Sequence, residues 1–298
     1  MTTKKKSTAV LFVLPFIIFF ILFWLIPFGY GLVMSLSKYS LVTGSDGWIG
    51  LDNYVKILFS DSMYNKSFML GLKNTVIFVL LTTPFLVFGS LGLALLLDRL
   101  PDRIKGPFRT IYFASYAVSV TAVAAVFVWL MKGNGGYLNN MLMNLGIIKK
   151  AVPWMEQQPF VWVALTAATV WWTIGYNMML FVNSLNEIDP QLYEASSMDG
   201  AGFWVQLRYI ILPSIKNIFF FVLMTTIIAS FNVYGQPRLM TQGGPGDSTK
   251  PLIMSITSAI MDRNDLGVGS AMTILMGIII VACSVGQYYL TREKEALR

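Results

Sequence analysis

Hydroxyl, amide and aromatic side chains recur at helical spacing inside long apolar runs of this sequence. Thr166, Thr169, Thr173, Asn177 and Ser184 follow one helical stripe, and Trp172 and Tyr176, four residues apart, sit beside it. In a later run Thr225, Asn232 and Gln236 fall on one side, with Tyr234 near. Such groups can exchange hydrogen bonds with ligand hydroxyls and cover a ring face. They can also do something plainer. Polar side chains between apolar helices bond to one another, for about 0.6 kcal/mol on average, and Trp and Tyr near span ends anchor at interfaces. Both readings stay open for each residue. A second constellation is the polar stretch EASSMDGAGFWVQLRYIILP (194–213), which sets Glu194, Ala195, Asp199, Gly200, Ala201 and Pro213 between two apolar runs.

Other chemistry is excluded by composition. The 298 residues include no histidine and one cysteine, Cys283. Disulfides within the chain, histidine metal sites and Ser-His-Asp or Cys-His nucleophiles are therefore out. No G-x-x-x-x-G-K-[ST] stretch is present to cradle ATP phosphates. The chain itself is expected to hold no metal and no cofactor, and to catalyse nothing.

The elements that must position these residues follow from charge spacing. Only 12% of residues are charged, against roughly 25% in an average soluble domain. Six windows lack charge altogether: 7–37, 74–97, 110–131, 157–186, 217–237 and 266–291. About 20 helical residues cross a hydrocarbon core of ~30 Å, whereas a barrel would show ~10-residue alternating segments. The expectation is a single all-α membrane domain with six transmembrane helices at about 9–37, 74–97, 110–131, 160–184, 214–236 and 267–290. The first run is too long for the 7–15-residue core of a signal peptide and lacks a small-x-small site, so it reads as an uncleaved helix.

Six helices place both termini on one side. The segments on that side, 1–6, 98–109, 187–216 and 292–298, hold 12 basic residues in 55 positions, against 10 in 89 for the opposite segments. Basic density marks the cytoplasmic face, so both termini and the 187–213 loop are expected there. The net charge of +7 is then that of span flanks, and nucleic acid is not an expected partner. On the outer side, Asp52 is expected to cap a short helix along the lipid interface, 137–146 reads as a second short helix closed by Gly146, and 242–248 as a tight turn.

The loop itself reads as two short helices. Asp189 is placed to cap the first, with Pro190 at its first position. Gly200 and Gly202 break the run, and the second helix leads through Pro213 into the fifth span. An interfacial amphipathic helix would account for Leu192, Tyr193 and Trp204, but not for the glycine step.

Glu194-Ala195-Ser196, then Asp199-Gly200-Ala201, then Ile210-Ile211-Leu212-Pro213 resemble the cytoplasmic EAA loop of inner-membrane permeases in binding-protein-dependent, ATP-driven (ABC) importers. Within that family IGLDNY (49–54), FRTIYF (108–113) and MTQGGPGDST (240–249) resemble the carbohydrate branch, of the maltose and glycerol-phosphate type. Two positions depart from the pattern. Ser196 stands for Ala, and Ser115 stands where a proline usually follows the YF run, which alters the expected helix bend. The resemblance implies a multi-pass protein of a bacterial or archaeal cytoplasmic membrane. It also implies a second, homologous permease subunit, two ATPase subunits that bind ATP and Mg, and an extracytoplasmic substrate-binding protein. By that resemblance the loop is a coupling loop: Glu194 pairs with a basic residue of the ATPase, Ala195 and Ala201 allow close packing, and Gly200 makes the turn.

A path without fixed charge suits a neutral, hydroxyl-rich cargo. The substrate-path candidates are Trp172, Thr173, Tyr176, Asn177, Asn232, Tyr234 and Gln236, for a sugar, oligosaccharide or polyol derivative. The alternatives are a permease for another small solute such as a polyamine, a stand-alone secondary carrier, or an intramembrane enzyme. The last would need convergent acids or a metal site at membrane depth, and none is visible.

Overall fold

A computed structural model describes residues 12–296, with side chains to residue 289. Apolar runs fold as helices because a helix satisfies every backbone N–H and C=O within its own segment. The order is α1 (Phe12–Ser35), a hairpin of β1 (Ser37–Ser40) and β2 (Gly44–Trp48), α2 (Asp52–Leu58), α3 (Met63–Asp98), α4 (Asp102–Ala117), α5 (Val120–Leu130), α6 (Tyr137–Asn144), α7 (Phe160–Asn186), α8 (Pro190–Met198), α9 (Phe203–Ser214), α10 (Lys216–Phe231), α11 (Leu252–Asp262) and α12 (Leu266–Ala296).

Among the described residues, α1, α3, α7 and Leu266–Tyr289 of α12 are each long and apolar enough to cross a membrane. Two bent pairs bring the number to six if each is one span: α4 with α5, at 96°, and α9 with α10, at 70°. These bends fall within the spans expected at about 110–131 and 214–236. The first falls at Val118 and Ser119, both with extended ψ; the Ser119 hydroxyl accepts from the Ala122 N–H at 3.3 Å and so starts a new helix. No bend occurs at Ser115, through which α4 continues. The second falls at Ile215, two residues after Pro213, whose missing N–H and bulky ring disturb the preceding turn; Leu207–Ile211 there is wound as a π-type turn. The helix after that bend also stops at Phe231, short of the expected 236. The helix at 74–97 starts earlier than expected, at Met63.

The chain divides into two units. The first comprises Met1–Met69 and Ser255–Ile279. In it β1 and β2 pair antiparallel, with Ser37 opposite Trp48. Buried Asn53 of α2 donates from Nδ2 to the carbonyls of Ser35 (2.9 Å) and Ser37 (3.0 Å). Asp52 does not cap α2 as expected. Leu51 holds the cap position without a side-chain bond, and Asp52 lies in the first turn, where its charge meets the positive end of the helix.

The second unit comprises Leu70–Met254 and Ile280–Arg298. Its larger core joins Val87, Leu91 and Ala94 of α3 to Met178, Phe181 and Val182 of α7 and to Ile211, Ile215 and Val222 around the second bend. A further core sets Phe78 of α3 and Ala124 of α5 against Val161, Leu165 and Ala168 of α7. The i, i+3, i+4 spacing along α7 turns one continuous face inward. Gly175 lets α4 and α7 touch by backbone: a Cβ there would lie 1.9 Å from the Tyr112 carbonyl oxygen.

Candidate functional site

The contact at Gly175 sets the wall of a cavity in the second unit. It brings the end of α4 beside α7, so that Tyr116 stacks on Tyr176 (centroids 4.9 Å apart, planes 25° apart) and lies 5.9 Å from Trp172. Trp172 Nε1–H donates to the Val118 carbonyl at 2.9 Å, which satisfies part of the broken helix end and fixes the indole. Opposite, Asn232 caps the end of α10 and its Nδ2 donates back to the Ile228 carbonyl at 2.8 Å. Beyond it, Gly235 passes so close to α5 that a Cβ would lie 2.7 Å from Val120 Cγ2.

These elements enclose about 380 Å³, within the usual range for small-molecule sites. Trp172, Thr173, Tyr176, Asn177, Asn232, Tyr234 and Gln236 all line it. Asn177 is buried and donates from Nδ2 to Thr226 Oγ1 at 3.0 Å; Gln236 is also buried. No charged side chain is among the lining residues. The surface therefore offers hydroxyls, amides and five aromatic residues, a set whose chemistry suits an uncharged polyhydroxylated face.

The stripe along α7 is longer than the cavity. Thr166 and Ser184 are 18 positions apart, about 27 Å along a helix, and the cavity meets only the middle turns. Thr169 and Thr225 line it; Ser184 does not, and Thr166 faces a separate apolar cavity with Leu81, Phe85 and Trp162. Tyr116 was not singled out by its own sequence neighbourhood. Its spacing of four from Tyr112 was the available signal.

The loop residues gather at the start of α8 and around its end. The Asp189 carboxylate accepts from the Gln191 N–H at 2.9 Å, and Pro190 takes the first helical position. The helix closes on Gly200, at φ +76°. The Gly200 N–H donates to the Ser197 carbonyl and the Ala201 N–H to the Ser196 carbonyl, at 3.1 and 2.9 Å. That paired closure is the Schellman arrangement, which requires a left-handed residue at this position. A Cβ on Gly200 would meet nothing within 4 Å, so the demand there is backbone conformation and not space. Ser196, the departure from the triplet, accepts from Gln206 Nε2 at 3.0 Å and ties α9 back onto α8. Phe203 at the start of α9 lies under the Arg99 guanidinium, 3.6 Å from its ring centroid. Burial, with the nearby Asp98 carboxylate second, raises the Tyr193 pKa. Glu194, Ala195, Asp199, Leu192, Met198 and Trp204 stay exposed, Ala201 is partly covered, and Pro213 lies exposed just before the 70° bend.

Comparison with known proteins places this arrangement. The family model described as "Binding-protein-dependent transport system inner membrane component" matches residues 57–294. The chain is 30% identical to the probable ABC transporter permease protein YurN of Bacillus subtilis, over 99% of this chain and 100% of that protein. It is 29% identical to the sulfoquinovosyl glycerol transport system permease protein SmoG of Agrobacterium fabrum, over 97% and 92%. A bacterial ABC transporter involved in the import of the acidic polysaccharide alginate contains a chain of the same fold, with a TM-score of 0.84 at 22% identity over 97% of this chain and 96% of that one.

Proposed function

The chain belongs to the family of binding-protein-dependent transport system inner membrane components, and on that premise we propose that it is a membrane-spanning permease subunit of an ATP-driven importer, forming half of the path for a sugar, oligosaccharide or polyol derivative. One observation carries the reading: Tyr116, Trp172, Tyr176, Asn177, Asn232 and Gln236 bound a single cavity without charge. Rings cover the apolar face of a sugar while amides and hydroxyls bond its edge. A polyamine would call for carboxylates, and the lining residues include none. The name of SmoG, a sulfoquinovosyl glycerol transport system permease protein, supports a carbohydrate cargo.

In this reading each bent pair is one span, giving six, and both termini are cytoplasmic. The exposed surface of α8 docks on one of two ATPase subunits, which bind ATP and Mg. Exposed ion pairs contribute only ~0–1 kcal/mol, so shape and burial of Leu192 and Met198 carry most of the docking, with Glu194 as a lesser contact. A second, homologous permease completes the path, and an extracytoplasmic binding protein delivers cargo. The test is uptake of a labelled sugar into membrane vesicles holding the chain with the subunits encoded beside it. ATP-dependent uptake that requires the binding protein is expected. Uptake that persists without ATP under clamped ion gradients would make the chain a stand-alone carrier.

A further inference from the structure

We propose that α6 lies flat in the bilayer surface, as an interfacial anchor at the end of span α5. Buried Asn139 sets how the helix is turned. Its Nδ2 donates to the carbonyls of Gly133 (2.8 Å) and Val152 (2.9 Å), and its Oδ1 accepts from the Val152 N–H (3.1 Å) and the Trp154 Nε1–H (2.9 Å). The opposite side of the helix is exposed and divided lengthwise. Tyr137, Met141 and the cap residue Leu145 form one row, and Asn140 and Asn144 form the row beside it. Residues four apart are turned by only about 40° on a helix, so each row runs nearly straight. An exposed arc that is apolar along one half and amide along the other fits a helix held at an oil–water boundary.

The apolar row continues onto the span. Ala122, Ala125, Val126 and Trp129 form the exposed stripe of α5, at i, i+3, i+4, i+7 spacing. Its last member, Trp129, stacks on Tyr137, with centroids 6.3 Å apart and planes at 15°. Trp and Tyr concentrate where spans leave the hydrocarbon. The segment 132–155 carries exposed Lys132, Lys149 and Lys150 and no acidic residue, which suits anionic headgroups. A protein seated on the whole arc would have to pair both amides, whereas a bilayer surface wets them and covers only the apolar half. The first unit repeats the construction at α2. There Asn53 is buried, and exposed Leu51, Val55 and Phe59 run beside exposed Asp52 and Lys56. The same division on a helix of unrelated sequence points to the bilayer surface and not to one partner protein. The inference needs only that α5 crosses a membrane, not the direction of transport or the identity of the cargo. Such an anchor would hold the depth of α5, whose Val120 lines the cavity.

The experiment is electron paramagnetic resonance of the full chain in vesicles of phosphatidylglycerol and phosphatidylcholine. In a Cys283→Ser background a nitroxide is placed on one cysteine at a time: Met141→Cys, Leu145→Cys, Asn140→Cys or Asn144→Cys. All four positions are exposed, so the labels spare buried packing. Labels at Met141 and Leu145 should collide more with oxygen, which partitions into lipid, than with a water-soluble nickel chelate. Labels at Asn140 and Asn144 should do the reverse. In cell membranes holding the partner subunits, Leu145→p-benzoylphenylalanine should photolabel lipid. Four labels equally open to the chelate would put α6 in water. Protection of Met141 and Leu145 from both reagents, or a photoadduct with another protein, would put a protein over the row. Each of these results would overturn the assignment.

Discussion

Asn177 of α7 and Thr226 of α10 join across the cavity edge, Nδ2 to Oγ1 at 3.0 Å. The bond lies between two helices and also beside the space in which cargo would pass, so the two roles need separating. Thr226→Val breaks the bond and keeps the amide. Asn177→Leu removes both. An interhelical bond in a membrane is worth about 0.6 kcal/mol, whereas a cargo hydroxyl left without its partner costs about 1–3 kcal/mol. Asn177→Leu should therefore lower uptake about 5- to 100-fold, and Thr226→Val much less, with both complexes still assembled on gel filtration. Equal, small losses in the two variants would assign Asn177 to helix packing alone.

Gly175 makes the sharper stability prediction. Its added Cβ would collide with a backbone oxygen, Tyr112 O, that no side-chain rotation can move. Gly175→Ala should cost about 1–3 kcal/mol by overpacking and spread the Tyr116–Tyr176 stack. Gly92→Ala, in the interior of α3, has open space and should gain up to ~1 kcal/mol in helix propensity. Thermal stability in detergent, followed by monodispersity, should move in opposite directions for the two. A neutral Gly175→Ala would mean that α4 and α7 stand further apart than described.

Much of this site is legible in the sequence because its parts are local. Asp189-Pro190 and Gly200 mark the ends of α8 through capping rules that operate within a few residues. Gly146 and the Gln242–Ser248 turn are legible in the same way, with positive φ at Gly146, Gln242, Gly243, Gly246 and Asp247. Trp172, Tyr176 and Asn177 share one helix, so periodicity alone aligns them. The rest depends on where helices go. Hydropathy reports that a segment avoids water and is blind to direction, so the bends at Val118–Ser119 and Ile215 leave the charge-free windows unchanged. Ser119 ahead of the apolar run VTAVAA is the one local sign of the first bend, as a cap. Tyr116 joins Tyr176 only because Gly175 admits α4, a contact across 60 positions that no spacing rule reaches. Thr166 fails for the converse reason: a stripe can outrun the cavity that part of it lines.

Topology can be checked at two exposed serines. The cytoplasmic placement of α8 rests on basic-residue density, and the exposed free thiol of Cys283 has first to be removed as Cys283→Ser. Ser45→Cys, on β2, should then react with an impermeant maleimide added to intact cells. Ser197→Cys should react only after permeabilisation. Ser248 is a poor probe because its hydroxyl is buried. Labelling of Ser197→Cys in intact cells would put α8 outside and remove the coupling role.

Gly200 tests whether α8 transmits force. The residue holds φ at +76° inside a double carbonyl closure, and its side-chain direction is empty. Steric bulk is therefore not excluded there, but right-handed backbone is. Asn tolerates the left-handed region and ends helices in this way, whereas other L residues lose about 1–2 kcal/mol and β-branched ones suffer most. Gly200→Asn should then transport close to the parent. Gly200→Val should insert in the membrane, since the spans are untouched, but turn α8 away from α9 and strain the Gln206–Ser196 bond. Uptake should be lost and the ATPase should no longer co-purify, or should hydrolyse ATP without response to cargo. Glu194→Ala should be the milder change, because its carboxylate is exposed and one such pair contributes ~0–1 kcal/mol. The measurements are substrate-stimulated ATP hydrolysis and ATPase recovery for the three variants side by side. If Gly200→Asn proves as damaging as Gly200→Val, it is occupancy of that surface and not backbone geometry that matters. If Gly200→Val transports like the parent, α8 is a passive interfacial helix and the coupling role fails.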